Sequence, residues 1–156
     1  MATQNELMYV EKVGRYFEQL TLPRMAGRIF GWLLISESPL VSMRELVEAL
    51  QASKSSISSM THLLIRIELV ELVSLPGERR DYYLIAANAW ANSLNDRLAQ
   101  AHAFRRLAEE GLALLEGSEP ERRLRLEEMH SLYAFLEGEL PKLLERWQFE
   151  RNRLEA

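Results

Sequence analysis

Apolar positions recur at intervals of three and four residues near the start of the chain, a spacing typical of amphipathic helices. The first predicted helix spans residues 5–20, with apolar positions at Leu7, Val10, Val13, Tyr16, Phe17 and Leu20. A second helix is predicted at residues 23–36, with Pro23 in its first turn. On it, Gly27 and Gly31 lie four residues apart, so another helix can approach closely on that side.

Two short helices joined by a tight turn are predicted next, in residues 40–68. Ser42 with Glu45 three residues later has the spacing of a capping box, in which each side chain accepts a hydrogen bond from a free backbone N–H. Ser53 caps the second helix. The predicted buried positions are Leu46 and Leu50 on the first helix, and Ile57, Met60, Leu64 and Ile67 on the second. This arrangement predicts a helix-turn-helix.

A β-hairpin is predicted directly after these helices. Residues 70–75 have strand character, residues 76–80 (PGERR) form a turn, and residues 81–85 (DYYLI) return as a second strand. A hairpin in this position is a wing. The predicted fold class is therefore mostly α, a winged helix-turn-helix with a two-stranded β wing, flanked by N- and C-terminal dimerisation helices.

The rest of the chain has helical periodicity. One helix of ~28 residues is predicted from Asn88, about 40 Å long, and its apolar stripe requires a partner, for which a second subunit is the simplest choice. Another helix opens at Pro120, and a last segment begins near Pro141. The predicted domains are an N-terminal dimerisation helix, a winged helix-turn-helix DNA-binding domain, and C-terminal dimerisation helices, at residues 1–22, 23–87 and 88–156.

Composition narrows the class of protein. The chain of 156 residues contains no cysteine, which excludes disulfides, thiolate metal sites and a cysteine nucleophile. The N-terminus lacks the pattern of a signal peptide. The longest apolar run, residues 32–35, is far shorter than the ~20 residues of a membrane span. We expect a cytoplasmic protein with no membrane partner.

Charge argues mildly against nucleic-acid binding, because the net charge is −4 and a basic surface is expected of DNA-binding proteins. The acidity lies mostly in residues 86–156, which hold ten Lys and Arg against thirteen Asp and Glu. Residues 40–85 hold five Lys and Arg against six Asp and Glu, so the net charge of this segment is close to zero. DNA binding therefore depends on where the charged groups lie.

The second helix of the predicted motif has a polar face that suits a recognition helix. Small side chains at its start let the helix N-terminus approach the major groove, where the backbone N–H groups and the helix dipole favour phosphate. Longer basic groups follow. The candidate DNA-binding residues are Ser53, Lys54, Ser55, Ser58, Ser59, His62 and Arg66. The alternative is a solvated face whose serines serve only for capping.

The predicted wing carries two arginines near its tip. Arg79 and Arg80 lie where a wing meets the minor groove of DNA, whose negative potential attracts arginine. The alternative is a surface pair neutralised locally by Glu78 and Asp81.

Other chemistry has little support in the sequence. The histidines, His62, His102 and His130, are scattered without metal-ligand spacing. Neither a phosphate-binding glycine loop nor a recognisable catalytic constellation is visible, so we expect neither an enzyme nor a cofactor. Several aromatic residues lie on the helices outside the motif, where core packing is the favoured interpretation and cation–π binding of a quaternary ammonium the alternative.

Three sequence blocks in order carry a family resemblance: residues 22–31 (LPRMAGRIFG), 53–58 (SKSSIS) and 76–83 (PGERRDYY). Together they resemble the GbsR-type branch of the MarR-like winged helix-turn-helix transcriptional regulators, over roughly residues 5–90. The resemblance implies a homodimer on a pseudo-palindromic operator. It places Ser53 to Ser58 at the start of the recognition helix, and it implies that Arg79 corresponds to the arginine of the family's wing.

The same resemblance implies a regulator that represses nearby genes and responds to a small-molecule effector. Some GbsR-type proteins resemble choline sensors, but no ligand residue is carried over to this chain. We expect a DNA-binding transcriptional regulator, a repressor in preference to an activator. The alternative is a winged-helix module that binds protein and not DNA. An enzyme or carrier on a helical scaffold is a more remote alternative, because the catalytic groups are missing.

Overall fold

The computed structural model describes residues 2–155, in two compact units that meet in sequence between Ala89 and Trp90. The elements of the first unit are α1 (Gln4–Gln19), α2 (Arg24–Ile35), β1 (Val41–Ser42), α3 (Met43–Leu50), α4 (Lys54–Arg66), β2 (Val70–Ser74) and β3 (Asp81–Ile85). The second unit contains α5 (Ala89–Leu114), apart from its first residue, and α6 (Pro120–Glu155). The predicted mostly helical class with a wing is confirmed. Across residues 2–155, no helix is both long and apolar enough to cross a membrane.

α1 and α2 pack with their backbones nearly in contact. A methyl group at Gly27 would lie 2.8 Å from the Cα of Gly14 and 2.8 Å from the Cβ of Phe17. One turn later, a methyl group at Gly31 would lie 3.0 Å from the Cβ of Val13. The close helix approach predicted from the two α2 glycines is confirmed, and its partner is α1.

α3 and α4 form the predicted helix-turn-helix. The predicted apolar stripes face the core: Leu46, Leu50, Ile57 and Leu64 are buried, whereas Met60 and Ile67 are half-buried against it. The capping box at Ser42 is only half formed. The Ser42 hydroxyl accepts from the backbone N–H of Glu45 at 3.2 Å, whereas the Glu45 carboxylate accepts from the indole Nε1 of Trp32 at 3.3 Å. The reciprocal bond predicted for Glu45 is therefore replaced by a tertiary one.

The wing belongs to a three-stranded antiparallel sheet in the order β1–β3–β2. β2 and β3 form the predicted hairpin, in which Ser74 pairs with Asp81 and Val70 with Ile85. The predicted two-stranded wing is confirmed, and the sheet gains a strand that was not predicted, because Val41 in β1 pairs with Tyr83. β1 has only two residues, too few to show an alternating pattern. Its pairing brings the start of α3 next to the base of the wing.

In the second unit, α5 and α6 form an antiparallel hairpin. The rings of Phe104 and Tyr133 stack with centroids 4.8 Å apart, and a methyl group at Gly111 would meet Leu126 at 2.8 Å. The break predicted near Pro141 is wrong, because α6 runs through it. A proline removes one helical hydrogen bond, but Leu140, Pro141 and Leu144 line a small cavity together with residues of α5. This stretch of α6 therefore faces α5 across the cavity, and the helix continues through the proline.

Candidate nucleic-acid interface

The buried side of α4 determines which of its residues are available to a ligand. Ile57, Thr61 and Leu64 are each fully buried, and the Thr61 hydroxyl donates to the carbonyl of Ser58 at 3.0 Å. The opposite side of the helix therefore faces outwards. Among the predicted site residues of α4 and its cap, Ser58 is half-buried, and the exposed ones are Ser53, Lys54, Ser55, Ser59, His62 and Arg66.

Ser53 shapes the beginning of α4. Its hydroxyl accepts from the backbone N–H of Ser56 at 3.2 Å and lies 3.1 Å from the hydroxyl of Ser55. A side-chain cap of this kind leaves the other N–H groups of the first turn pointing out of the helix. Ser53 therefore caps α4, and its predicted contact with DNA stays a prediction.

The wing is stiffened by hydrogen bonds that engage its acidic residues. Ser74 Oγ donates to Asp81 Oδ1 at 2.6 Å, and the hydroxyl of Tyr82 donates to the carboxylate of Glu78. That hydrogen bond raises the pKa of Tyr82, with burial and the Glu78 charge adding to the effect. Gly77 at the turn has a φ of +83°, which favours glycine.

Arg79 and Arg80 are exposed beside this turn. The local neutralisation considered for them would require ion pairs with Glu78 or Asp81. Within residues 2–155 neither arginine has a carboxylate oxygen within 4.0 Å, and the two acids bond to Tyr82 and Ser74 instead. The positive charge of this pair is therefore available to an external anion.

A groove of about 550 Å³ separates the wing from α3 and the start of α4. Its lining contains four basic residues and one acidic residue, and consists of Ser42, Met43, Arg44, Val47, Lys54, Arg79, Arg80, Asp81 and Tyr83. The structure thus brings three predicted residues, Lys54, Arg79 and Arg80, to one place. The other predicted residues lie on or at the start of α4 and do not line this groove.

Arg44 was missed by the sequence analysis. It is the second residue of α3 and, at 77% exposure of its side chain, points its guanidinium outwards. The pairing of β1 with β3 places it close to the wing. Because that strand was not predicted, only the basic character of the residue could have indicated a role.

Acidic residues of the first unit gather around a different cavity, of about 540 Å³. Its lining contains four glutamates and Trp32, and consists of Ala2, Glu6, Trp32, Ser36, Glu37, Glu45, Glu48 and Ala49. The groove is lined by positions 43, 44 and 47 of α3, whereas this cavity is lined by positions 45, 48 and 49. At 100° per residue these are different faces of the helix. A segment with nearly balanced charge therefore has one basic face.

Two of the three histidines bond across the α5–α6 hairpin. His102 Nδ1 lies 2.6 Å from a carboxylate oxygen of Glu137, and His130 Nε2 lies 3.2 Å from Glu109. Arg105 bonds to both glutamates. In the described part of the chain, His, Asp and Glu residues form no group of three or more that could hold a metal ion.

Comparisons with known proteins find similar transcriptional regulators. The family described as MmpR5-like MarR family transcriptional regulator matches residues 88–151. The HTH-type transcriptional regulator MmpR5 of Mycobacterium tuberculosis is 36% identical over 148 residues, which cover 94% of this chain and 90% of that protein. A crystal structure of a transcriptional regulator is similar with a TM-score of 0.71 at 35% identity, over 92% of this chain and 98% of the other.

A more distant similarity, to a MepR–DNA complex of S. aureus, has 18% identity and a TM-score of 0.44, over 87% of this chain and 89% of that one. The GbsR-type branch indicated by the sequence blocks is not confirmed. The homologues are transcriptional regulators and not enzymes, as expected. With a winged helix-turn-helix in place and a relative this similar over nearly its whole length, the chain belongs to the MmpR5-like MarR family of transcriptional regulators.

Proposed function

We propose that the protein binds a pseudo-palindromic operator in double-stranded DNA as a homodimer and represses nearby genes. The observation that carries the proposal is the groove in which Arg44, Lys54, Arg79 and Arg80 meet, with a single acidic residue among them. A phosphate backbone requires such a concentration of positive charge, whatever the charge of the whole domain.

In this proposal the start of α4 enters the major groove. Lys54 reaches a phosphate or a guanine, and Ser55, Ser58 and Ser59 bond to base edges or the backbone. His62 and Arg66, further along the exposed side of the helix, contact the flanking backbone. The wing then places Arg79 and Arg80 at the minor groove or its phosphates.

A homodimer supplies the affinity that one copy lacks. Few phosphates are neutralised by one groove, so a single copy binds DNA weakly, whereas two linked copies reinforce each other. The helices on either side of the motif, residues 1–22 and 88–156, are the proposed dimerisation segments. They expose large apolar side chains, among them Met8, Tyr9, Tyr16, Leu20, Leu132, Phe135, Leu143 and Phe149.

The finer assignment to the GbsR-type branch stays a prediction, and so does release from DNA by a small-molecule effector. Both depend on the sequence blocks and not on a ligand site. If an effector binds, it acts by changing the separation of the two recognition helices, since half-sites lie ~34–36 Å or a multiple of that apart. Action on chromosomal DNA also implies the cytoplasmic location that the sequence predicts.

The decisive experiment is a titration of the full chain with random-sequence duplex DNA at several salt concentrations. We expect binding that weakens steeply with salt, by a slope of ~0.9 per neutralised phosphate. Selection from a random DNA library then yields an inverted repeat with half-sites about 10 base pairs apart. A protein that shows no salt-dependent binding to duplex DNA is instead the protein-binding winged-helix module considered above.

A further inference from the structure

We propose that Arg44 is a phosphate-binding residue and that Glu48 is its built-in competitor, which limits the affinity of the protein for DNA. This inference rests on the proposed function and adds a regulatory ion pair to the same site. The pair joins Arg44 Nε to Glu48 Oε1 at 2.6 Å, one helical turn apart on α3.

The two residues of the pair belong to different surfaces. Arg44 lines the basic groove with Lys54 and the wing arginines, whereas Glu48 lines the acidic cavity with Glu45. Side-chain exposure is 77% for Arg44 and 62% for Glu48. The ion pair therefore lies at the border between the two surfaces, in water, where such pairs are weak and easily exchanged.

A DNA phosphate competes directly with this carboxylate. The Glu48 carboxylate accepts from Nε of the guanidinium, and a phosphate is the same kind of charged acceptor. Two anions on one guanidinium repel each other, so the phosphate and the carboxylate compete for it. When phosphate occupies the groove, Arg44 adds a fourth basic contact beside Lys54, Arg79 and Arg80. Binding then costs the protein the Arg44–Glu48 ion pair.

The competition makes a prediction that simple repulsion does not. If Glu48 only repels DNA through its charge, Glu48→Gln strengthens binding by the same factor whether or not Arg44 is present. If it acts by occupying Arg44, the gain disappears once Arg44 is replaced. A double-mutant cycle separates the two mechanisms, because the residues are in contact and their effects on binding are not additive.

The experiment measures the dissociation constant for random-sequence duplex DNA at several salt concentrations. The proteins are the wild type, Arg44→Gln, Glu48→Gln and the double variant. Glu110→Gln, which removes one exposed carboxylate from α5, controls for net charge. We expect Glu48→Gln to bind about two- to fivefold more tightly, as expected for release from an exposed ion pair, and Glu110→Gln to match the wild type.

We expect Arg44→Gln to weaken binding and to lower the salt slope by ~0.9, the loss of one phosphate contact. The double variant should bind like Arg44→Gln alone. Arg44→Lys retains the charge and should restore most of the salt slope. This result would show that the weaker binding of Arg44→Gln comes from the lost charge and not from a folding defect. An unchanged slope in Arg44→Gln, or an equal gain from Glu48→Gln in both backgrounds, overturns the inference. Loss of salt-dependent binding in the wild type would instead overturn the proposed function.

Discussion

The guanidinium of Arg28 donates from Nη2 to the backbone carbonyl of Leu50 at 3.0 Å. Leu50 is the last residue of α3, so this bond ties α2 to the helix-turn-helix immediately before its turn. The same guanidinium has its Nε 2.7 Å from Glu11 Oε1 on α1. One side chain therefore connects three helices and holds the carbonyl end of α3.

Replacing Arg28 with Met keeps the apolar stem and removes the hydrogen bond to the Leu50 carbonyl and the ion pair with Glu11. Because hydrogen bonds to charged groups contribute ~1.5–3 kcal/mol, we expect the free energy of unfolding to fall by about 2 kcal/mol. Urea denaturation at fixed protein concentration measures the change. The matched control is Arg15→Met on the exposed side of α1, which should change stability by less than about 0.5 kcal/mol. Equal effects from the two variants would contradict the role assigned to Arg28.

Gly27→Ala tests the close approach of α1 and α2. The new methyl group would lie 2.8 Å from the backbone of Gly14, so the helices must separate. We expect a loss of about 1–3 kcal/mol, as for other overpacked cores. Gly138→Ala on α6 is the control, because nothing lies within 4 Å of its added methyl group. That variant should gain up to about 1 kcal/mol from helix propensity. Thermal denaturation of both variants measures the two changes in stability, which we expect to have opposite signs.

Glu137 makes stability depend on pH in the acid range. Hydrogen bonds from His102 and Arg105 lower the pKa of Glu137 below its ordinary value of 4.5. When folding lowers the pKa of a carboxyl group, its ionised form stabilises the folded state at pH values above the unfolded-state pKa. This stabilisation is lost as the pH falls through the folded-state pKa. We expect Glu137→Gln to flatten the decline of the melting temperature below about pH 4.5.

The control for that titration is Glu139→Gln. Its carboxylate pairs with Lys142 at 2.8 Å within α6 and does not join the two helices. We expect its melting temperature to decline with acid as steeply as that of the wild type. If Glu137→Gln also behaves like the wild type, the bonds across the hairpin do not contribute to acid stability.

The recognition helix and the wing should respond differently to substitution. Arg79→Ala removes a wing contact, so we expect weaker binding across DNA sequences, with specificity altered mainly in flanking A·T tracts. Lys54→Ala combined with Ser58→Ala should reduce the preference for the selected operator over random DNA, since base contacts carry specificity. Binding curves on both kinds of DNA measure the two effects. Unchanged operator affinity in both variants would contradict the docking arrangement.

Local patterns accounted for the helices and the hairpin because their causes are local. Three- and four-residue apolar spacing predicted α1 to α4, and the cap at Ser53 and the turn at Gly77 depend on neighbouring residues. These features also located the recognition helix and the wing arginines. The side-chain roles predicted for them on DNA stay predictions.

The sequence by itself determined the order of α1 to α5 and of the wing hairpin, the buried faces and the position of a winged helix-turn-helix, since periodicity and capping act within a few residues. Tertiary structure decided the rest. The two-residue strand β1 forms only by pairing with β3, Glu45 leaves its capping box for Trp32, and α6 continues through Pro141 beside α5. The same long-range pairing placed Arg44 in the groove. A nearly neutral segment thereby has a basic face, because folding separates charges that alternate along the chain.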